Sequence, residues 1–191
     1  MRLSVLLPLF IIALLSGLGF TFYTQATQMR FGKIDIGEWS TWPVHNIKET
    51  DPYTAALVAH NGDMPLGQGE GVSFIRKRDD DHQKLNPMCH YQLKGAFPIA
   101  RMWTITLTTL EGIPIANSSN RYGFTSRDIL YSPEGAVVID IAPFPTGGNW
   151  LPIGKSNAFQ IIFNLYDTPL NSTSKALTPT QLPRLHKVRC L

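Results

Sequence analysis

RMWTITLTTLEGIPIANSSNRYGFTSRDILYSPEGAVVIDIAPFPTGGNWLP, residues Arg101 to Pro152, is the stretch on which the fold turns. Trp103, Ile105 and Leu107 alternate with Thr104, Thr106 and Thr108, a period of two that puts apolar groups on one sheet face and hydroxyls on the other. This predicts an antiparallel strand with one face on a core. Ile129 to Tyr131 and Ala136 to Ile141 flank Ser132-Pro133-Glu134-Gly135. Proline presets φ for a type I turn there and Gly135 can take the left-handed residue after it, so a hairpin is expected. Two long connections, 111–128 and 143–152, are rich in Gly, Pro, Asn and Ser. Connections of that length in a compact domain tend to be shaped surfaces, and a binding site is expected there.

Outward from this stretch the same pattern recurs. Cys89, Tyr91 and Leu93 alternate with His90 and Gln92, and Phe159, Ile161, Phe163 and Leu165 alternate with Gln160 and Asn164. A further strand is expected at Val72 to Lys77, after the glycines of Leu66 to Gly71. Those glycines have neither a preceding strand nor a following Lys-Ser/Thr, so a phosphate loop is a poor reading. One helix is expected where Thr50-Asp51-Pro52 offers a cap and a first-turn proline and Gly62 a stop. His60, at its end, reads as a helix-end histidine rather than a ligand. Strands outnumber helices. The fold class is therefore mainly β: an antiparallel, jelly-roll-like β-sandwich with one short helix.

From Leu3 to Phe22 no residue is charged. Twenty helical residues reach roughly 30 Å, the thickness of a bilayer's hydrocarbon core. The segment reads as a transmembrane anchor or a cleavable signal; its length favours the anchor, because cleavage sites near Gly17 to Gly19 or Thr24 to Ala26 are poor. The division expected is an anchor or signal over 1–23, a spacer over 24–49 and a β-sandwich over 50–191. Trp39 and Trp42, in the spacer, suit either a membrane interface or the start of the domain.

The chain has 191 residues, with Lys plus Arg 17 against 14 acids; setting aside Arg2 and Arg30 leaves fifteen basic residues facing fourteen acidic ones. A nearly neutral domain gives no footprint for nucleic acid. The two cysteines, Cys89 and Cys190, are unrelated thiols in a cytosolic chain and a disulfide pinning the C-terminal tail in an exported one. With the apolar leader, the exported reading is preferred. It gives an inner-membrane, single-pass protein with a periplasmic C-terminal domain, or a periplasmic one after cleavage. Arg76 to His82, with Asp79, Asp80 and Asp81, lacks the calcium-loop order and reads as a solvated hairpin tip. No spacing suits a metal, and no cofactor is implied.

Several segments carry a likeness to a known family: Asp51 to Gly62, Pro65 to Gly67 with Glu70, Tyr91 to Gly95, Ala100 to Leu107, Ile115 to Asn117 with Asn120 to Tyr122, and Asn149 to Pro152. In order and spacing they resemble the bacterial domain of unknown function 1214 over about residues 50 to 168. The resemblance implies a β-sandwich and a companion protein or domain of the domain of unknown function 1254 type. It implies no catalytic residues. Met102 to Thr109 lacks the Tyr-Asp end that family members carry at this strand. In a bacterial protein the acceptor-like Asn117-Ser-Ser119 and Asn171-Ser-Thr173 are coincidental.

No G-x-S-x-G elbow, H-E-x-x-H, Walker loop or Rossmann fingerprint occurs. The candidate ligand-binding residues are Arg101, Asn120, Arg121, Tyr122, Asn149 and Trp150. Two guanidiniums suit a bidentate clamp on an anion, with an aromatic wall beside it; the competing reading has these side chains tying the two long loops to the sheet. Two functions remain: an extracytoplasmic binding or assembly module acting with the companion, or a hydrolase-like cell-envelope enzyme on carbohydrate or lipid, using Arg121 and Asn149.

Overall fold

The computed structural model describes residues 3–27, 32–42, 51–61, 66–67, 69–172 and 177–191. Two sheets face each other across one core. The first is six-stranded and antiparallel, in the order β1 (Ile34–Ile36), β2 (Trp39–Thr41), β3 (Gly71–Arg76), β9 (Gln160–Tyr166), β5 (Met102–Thr108) and β6 (Gly123–Thr125). The second runs β10 (Arg184–Cys190), β4 (Cys89–Gly95), β7 (Val137–Ala142) and β8 (Asn149–Pro152). Helices α1 (Leu3–Ala26) and α2 (Pro52–Asn61) complete the elements, with short 3₁₀ turns at Pro169–Ser172 and Pro179–Gln181.

The period-two faces land where the sequence puts them. Trp103, Ile105 and Leu107 are buried, as are Cys89, Tyr91 and Leu93 from the opposite sheet, and Ile139 and Ile141 from β7. Phe163 on β9 sits at the centre. Its ring is 5.6 Å from Trp39, 5.7 Å from Phe97, 6.2 Å from Phe74 and 6.3 Å from Trp103, separations at which tilted and edge-to-face pairs add to simple burial. β9 occupies this place because it pairs with β3 on one edge and β5 on the other. The cap expected of α2 is present, with Asp51 Oδ1 accepting the Thr54 N–H at 2.9 Å. Burial raises the Asp51 carboxyl, but the Thr54 side chain and the N–H groups of the first turn outweigh it and leave it below its ordinary value. Thr50, Gly62, Pro65 and Thr173, and the side chain of His60, lie outside the described residues.

Four features depart from the sequence reading. Residues 34–41, expected within a spacer, form β1 and β2 and extend the first sheet. Their signal was a two-residue turn, Gly37-Glu38, with Gly37 at φ 61°; Trp39 is core, its indole N–H donating to the Pro183 carbonyl at 2.8 Å. The hairpin turn at Ser132 to Gly135 forms, with Gly135 at φ 76°, but its first arm shrinks to one bridge, Tyr131 to Val137. The reason is that the Leu130 backbone bonds to a side chain instead of a strand. The two long connections hold strands of their own, β6 and β8, and β8 runs parallel to β7, so the second sheet is mixed. Finally, the tail ends in β10, paired along β4 with a bulge at Val188. Cys89 and Cys190 are joined there as a disulfide.

Candidate ligand-binding site

Asn120, Arg121, Tyr122 and Trp150 gather near one end of β5, Arg101 stands at the other, and Asn149 lies between them, bonded to Leu130 and Val138 beside the Tyr131 to Val137 bridge. The Leu107 N–H meets the Tyr122 carbonyl, six residues along β5 from Arg101, or about 20 Å at the strand rise. The two guanidiniums of Arg101 and Arg121 therefore do not converge on one anion.

At the Arg121 end and at Asn149 the side chains are occupied with structure. Asn149, 6% exposed, accepts the Leu130 N–H at 2.7 Å and donates to the Leu130 and Val138 carbonyls at 2.8 and 2.9 Å. Both of its N–H groups are used, so it has no donor left for a ligand. Arg121 donates to the Trp150 carbonyl at 2.9 Å and lies 5.3 Å over the Phe124 ring, a cation–π contact. The Trp150 indole donates to the Ala142 carbonyl at 3.1 Å. Asn120 takes φ 50°, a turn conformation Asn tolerates, inside a loop that Asn117 closes with its amide. Tyr122 is exposed. Gly154 packs this loop from below: a Cβ there would stand 2.0 Å from the Ala116 carbonyl oxygen.

At the Arg101 end a cavity of about 510 Å³ opens between the sheets. Phe97, Ile99, Trp103, Tyr131 and Val137 form its apolar walls, and Arg101 and Arg127 its charged lining. Phe97 and Trp103 stack at 4.8 Å, tilted by 32°. A second cavity, of about 560 Å³, lies beside Met88, Pro143, Ile153 and Lys155. Neither contains Arg121 or Asn149. Of the sequence candidates only Arg101 lines either of these two cavities. Arg127 was missed because a single arginine in a loop gives no periodic or motif signal.

Two polar groupings were also illegible. The expected hairpin tip is solvated at Lys77, Arg78 and Asp81 to Lys84, but Arg76 and Asp79 within it are buried. Arg76 donates to the Arg78 carbonyl, the Pro183 carbonyl and Asp80, and Asp80 in turn accepts the Leu185 N–H, so this cluster fastens β10. Burial pushes the Arg76 guanidinium down from its ordinary value, opposed by Asp80, Glu38 and Asp79. On the outer face of the second sheet, His90 Nε2 sits 2.7 Å from Asp140 Oδ1, with Phe144 edge-on to the imidazole ring. Among the described residues no three of His, Cys, Asp and Glu are grouped to hold a metal ion.

The family described as Protein of unknown function (DUF1214) matches residues 70–170, more than half of the chain. The chain belongs to that family. The DUF1214 match runs from the start of β3 past the end of β9, and so takes in both ends of β5. Among solved structures, the DUF1214 chain is similar to the VPA0106 protein from Vibrio parahaemolyticus, at 19% identity and a TM-score of 0.56 over 72% of this chain and 35% of that one. It is also matched, at 12% identity and a TM-score of 0.45, to an uncharacterized protein from Burkholderia cenocepacia, over 90% of this chain and 42% of that one. The chain thus spans between a third and a half of the length of either solved chain, and the Vibrio likeness is one of fold. Comparison with curated proteins gives no match.

Proposed function

We propose that this DUF1214 chain is a membrane-tethered binding module that works outside the cytoplasm, and that the cavity at the Arg101 end of β5 is where it binds. The observation that carries the reading is α1. From Val5 to Tyr23 its side chains stay exposed, including eleven large apolar ones between Val5 and Phe20, in a segment long enough to cross a bilayer. Apolar area on that scale, left uncovered by the domain, calls for lipid or for removal as a signal. The disulfide agrees with an oxidising compartment. Asn149, fully engaged in the fold, gives the hydrolase-like alternative no support.

The companion of the domain of unknown function 1254 type is the partner first expected, and it stays part of this proposal. Protease added to intact spheroplasts of a bacterial host, followed by mass measurement of the full chain without reductant, tests the tether. Digestion outside the membrane, a mass that retains α1 and a mass lower by two hydrogens for the disulfide are expected. Protection from the protease defeats the reading; digestion of a chain that has lost α1 replaces the tether with secretion.

A further inference from the structure

The cavity at the Arg101 end of β5 has a lining that selects its occupant. It holds two guanidiniums and no carboxylate. Arg101 lies 3.5 Å from Asp167, with both side chains mostly in solvent, a pair that exchanges easily for a better acceptor. Arg127 has no ion pair and no side-chain hydrogen bond among the described residues. The acids nearest to it in sequence are engaged elsewhere, Asp128 by the Thr125 hydroxyl and Glu134 by the Ser132 hydroxyl.

The neutral polar groups of the lining are also taken. The Tyr131 hydroxyl donates to the Ser126 carbonyl at 2.9 Å, and the Ser126 hydroxyl accepts the Trp103 N–H. A sugar, which needs many free hydroxyl partners, finds few here. What remains open is the half-buried Phe97, backed by the buried Trp103 at 4.8 Å, with Ile99 83% exposed at the rim and a cation beside it. The volume, about 510 Å³, lies within the range of small-ligand pockets.

We infer that this cavity binds a small ligand with an apolar body and one anionic group, the body lying against Phe97 and Ile99 and the anion held by Arg127 with Arg101 in support. The inference rests on the binding-module reading and names its ligand class. The bidentate fork of a guanidinium matches a carboxylate, and an apolar wall beside it strengthens the pair by excluding water.

The test is isothermal titration calorimetry on the full chain in phosphatidylcholine nanodiscs, with empty nanodiscs as the blank. The probes are 2-naphthoate, the neutral 2-naphthylmethanol and decanoate below its micellar range. Saturable one-to-one binding of 2-naphthoate is expected, weakened about tenfold or more in both Arg127→Gln and Arg127→Glu, unchanged in Lys84→Glu, and about tenfold or more stronger than that of the alcohol. Decanoate binding with the same dependence on Arg127 supports the same site and assigns an acyl body. Absence of saturable binding by either anion overturns the inference, as does binding that ignores Arg127 or favours the alcohol. Thermal melting of the two Arg127 variants, expected to match the parent, shows that lost binding is not lost folding. The spheroplast result is independent: binding by a chain that proves cytoplasmic sinks only the tether, and a tethered chain without binding sinks only this ligand class.

Discussion

The two ends of β5 carry similar residues and use them in opposite ways. At the Leu107 end, Arg121 and Trp150 direct their polar atoms to backbone carbonyls, and Asn117 closes the loop there with its amide. At the Arg101 end, Arg127 faces a cavity and has no ion pair and no side-chain hydrogen bond among the described residues, and Arg101 has an exposed partner. Residue type alone does not separate a binding arginine from a structural one. The difference is whether a backbone acceptor lies within reach of the guanidinium: Arg121 has the Trp150 carbonyl, and Arg127 has no side-chain hydrogen bond among the described residues.

Mutations can break or sharpen this contrast. The largest effect is expected for Asn149→Ala, which strands the Leu130 N–H and two carbonyls; denaturant unfolding of the full chain in detergent should show a loss of about 2–3 kcal/mol. A loss below about 0.5 kcal/mol would mean the amide is not what holds the Leu130 loop. Gly154→Ala follows, since its Cβ would collide with the Ala116 carbonyl oxygen; we expect a loss of about 1–3 kcal/mol by the same measurement, with the 111–120 loop displaced.

Tyr91, on β4 and packed on Phe159, offers a control from the core. Burial raises its phenol, against the Asn86 N–H that donates to it and with the Asp79 charge adding to the rise. The raised value favours the neutral form in the folded state. Its contribution is therefore present below the unfolded value, near 10, and is lost as pH climbs through the folded one. Melting temperature should fall above pH 10 in the parent and fall less steeply in Tyr91→Phe. Equal slopes would exclude this tyrosine from the alkaline transition.

The smallest effect is the sharpest test of the comparison. Arg121→Ala should cost about 0.5–1 kcal/mol by removing one exposed hydrogen bond and a cation–π contact. Arg127→Ala should stay within about 0.5 kcal/mol of the parent. Equal losses at the two arginines would mean that the ends do not differ in the way described.

The β-sandwich was legible because alternation is a backbone property: Trp103, Ile105 and Leu107, or Phe159, Ile161, Phe163 and Leu165, announce their inward face whatever they pack against. Short strands such as β6 and β8 were not, because three or four residues do not establish a period. β10 was hidden by its charges; only Leu185 among its seven residues is buried, and the rest of this edge strand is guarded by Arg184, His186, Lys187 and Arg189. The site residues were half legible. The loops were found from composition, but which arginine meets a cavity depends on how six residues of strand separate two loop clusters.

The placement of β9 governs the order of assembly. It lies between β3 and β5, and its partners are distant in sequence: Gly71 pairs with Tyr166, and Trp103 with Leu165. Until β9 is in place, both flanking strands present bare hydrogen-bonding edges and the core has no central aromatic ring. Such topologies have high contact order and fold in about milliseconds to seconds. If the domain is exported, as proposed above, it would emerge with two unprotected edges, and escorts that shield nascent β-strands would find their substrate here.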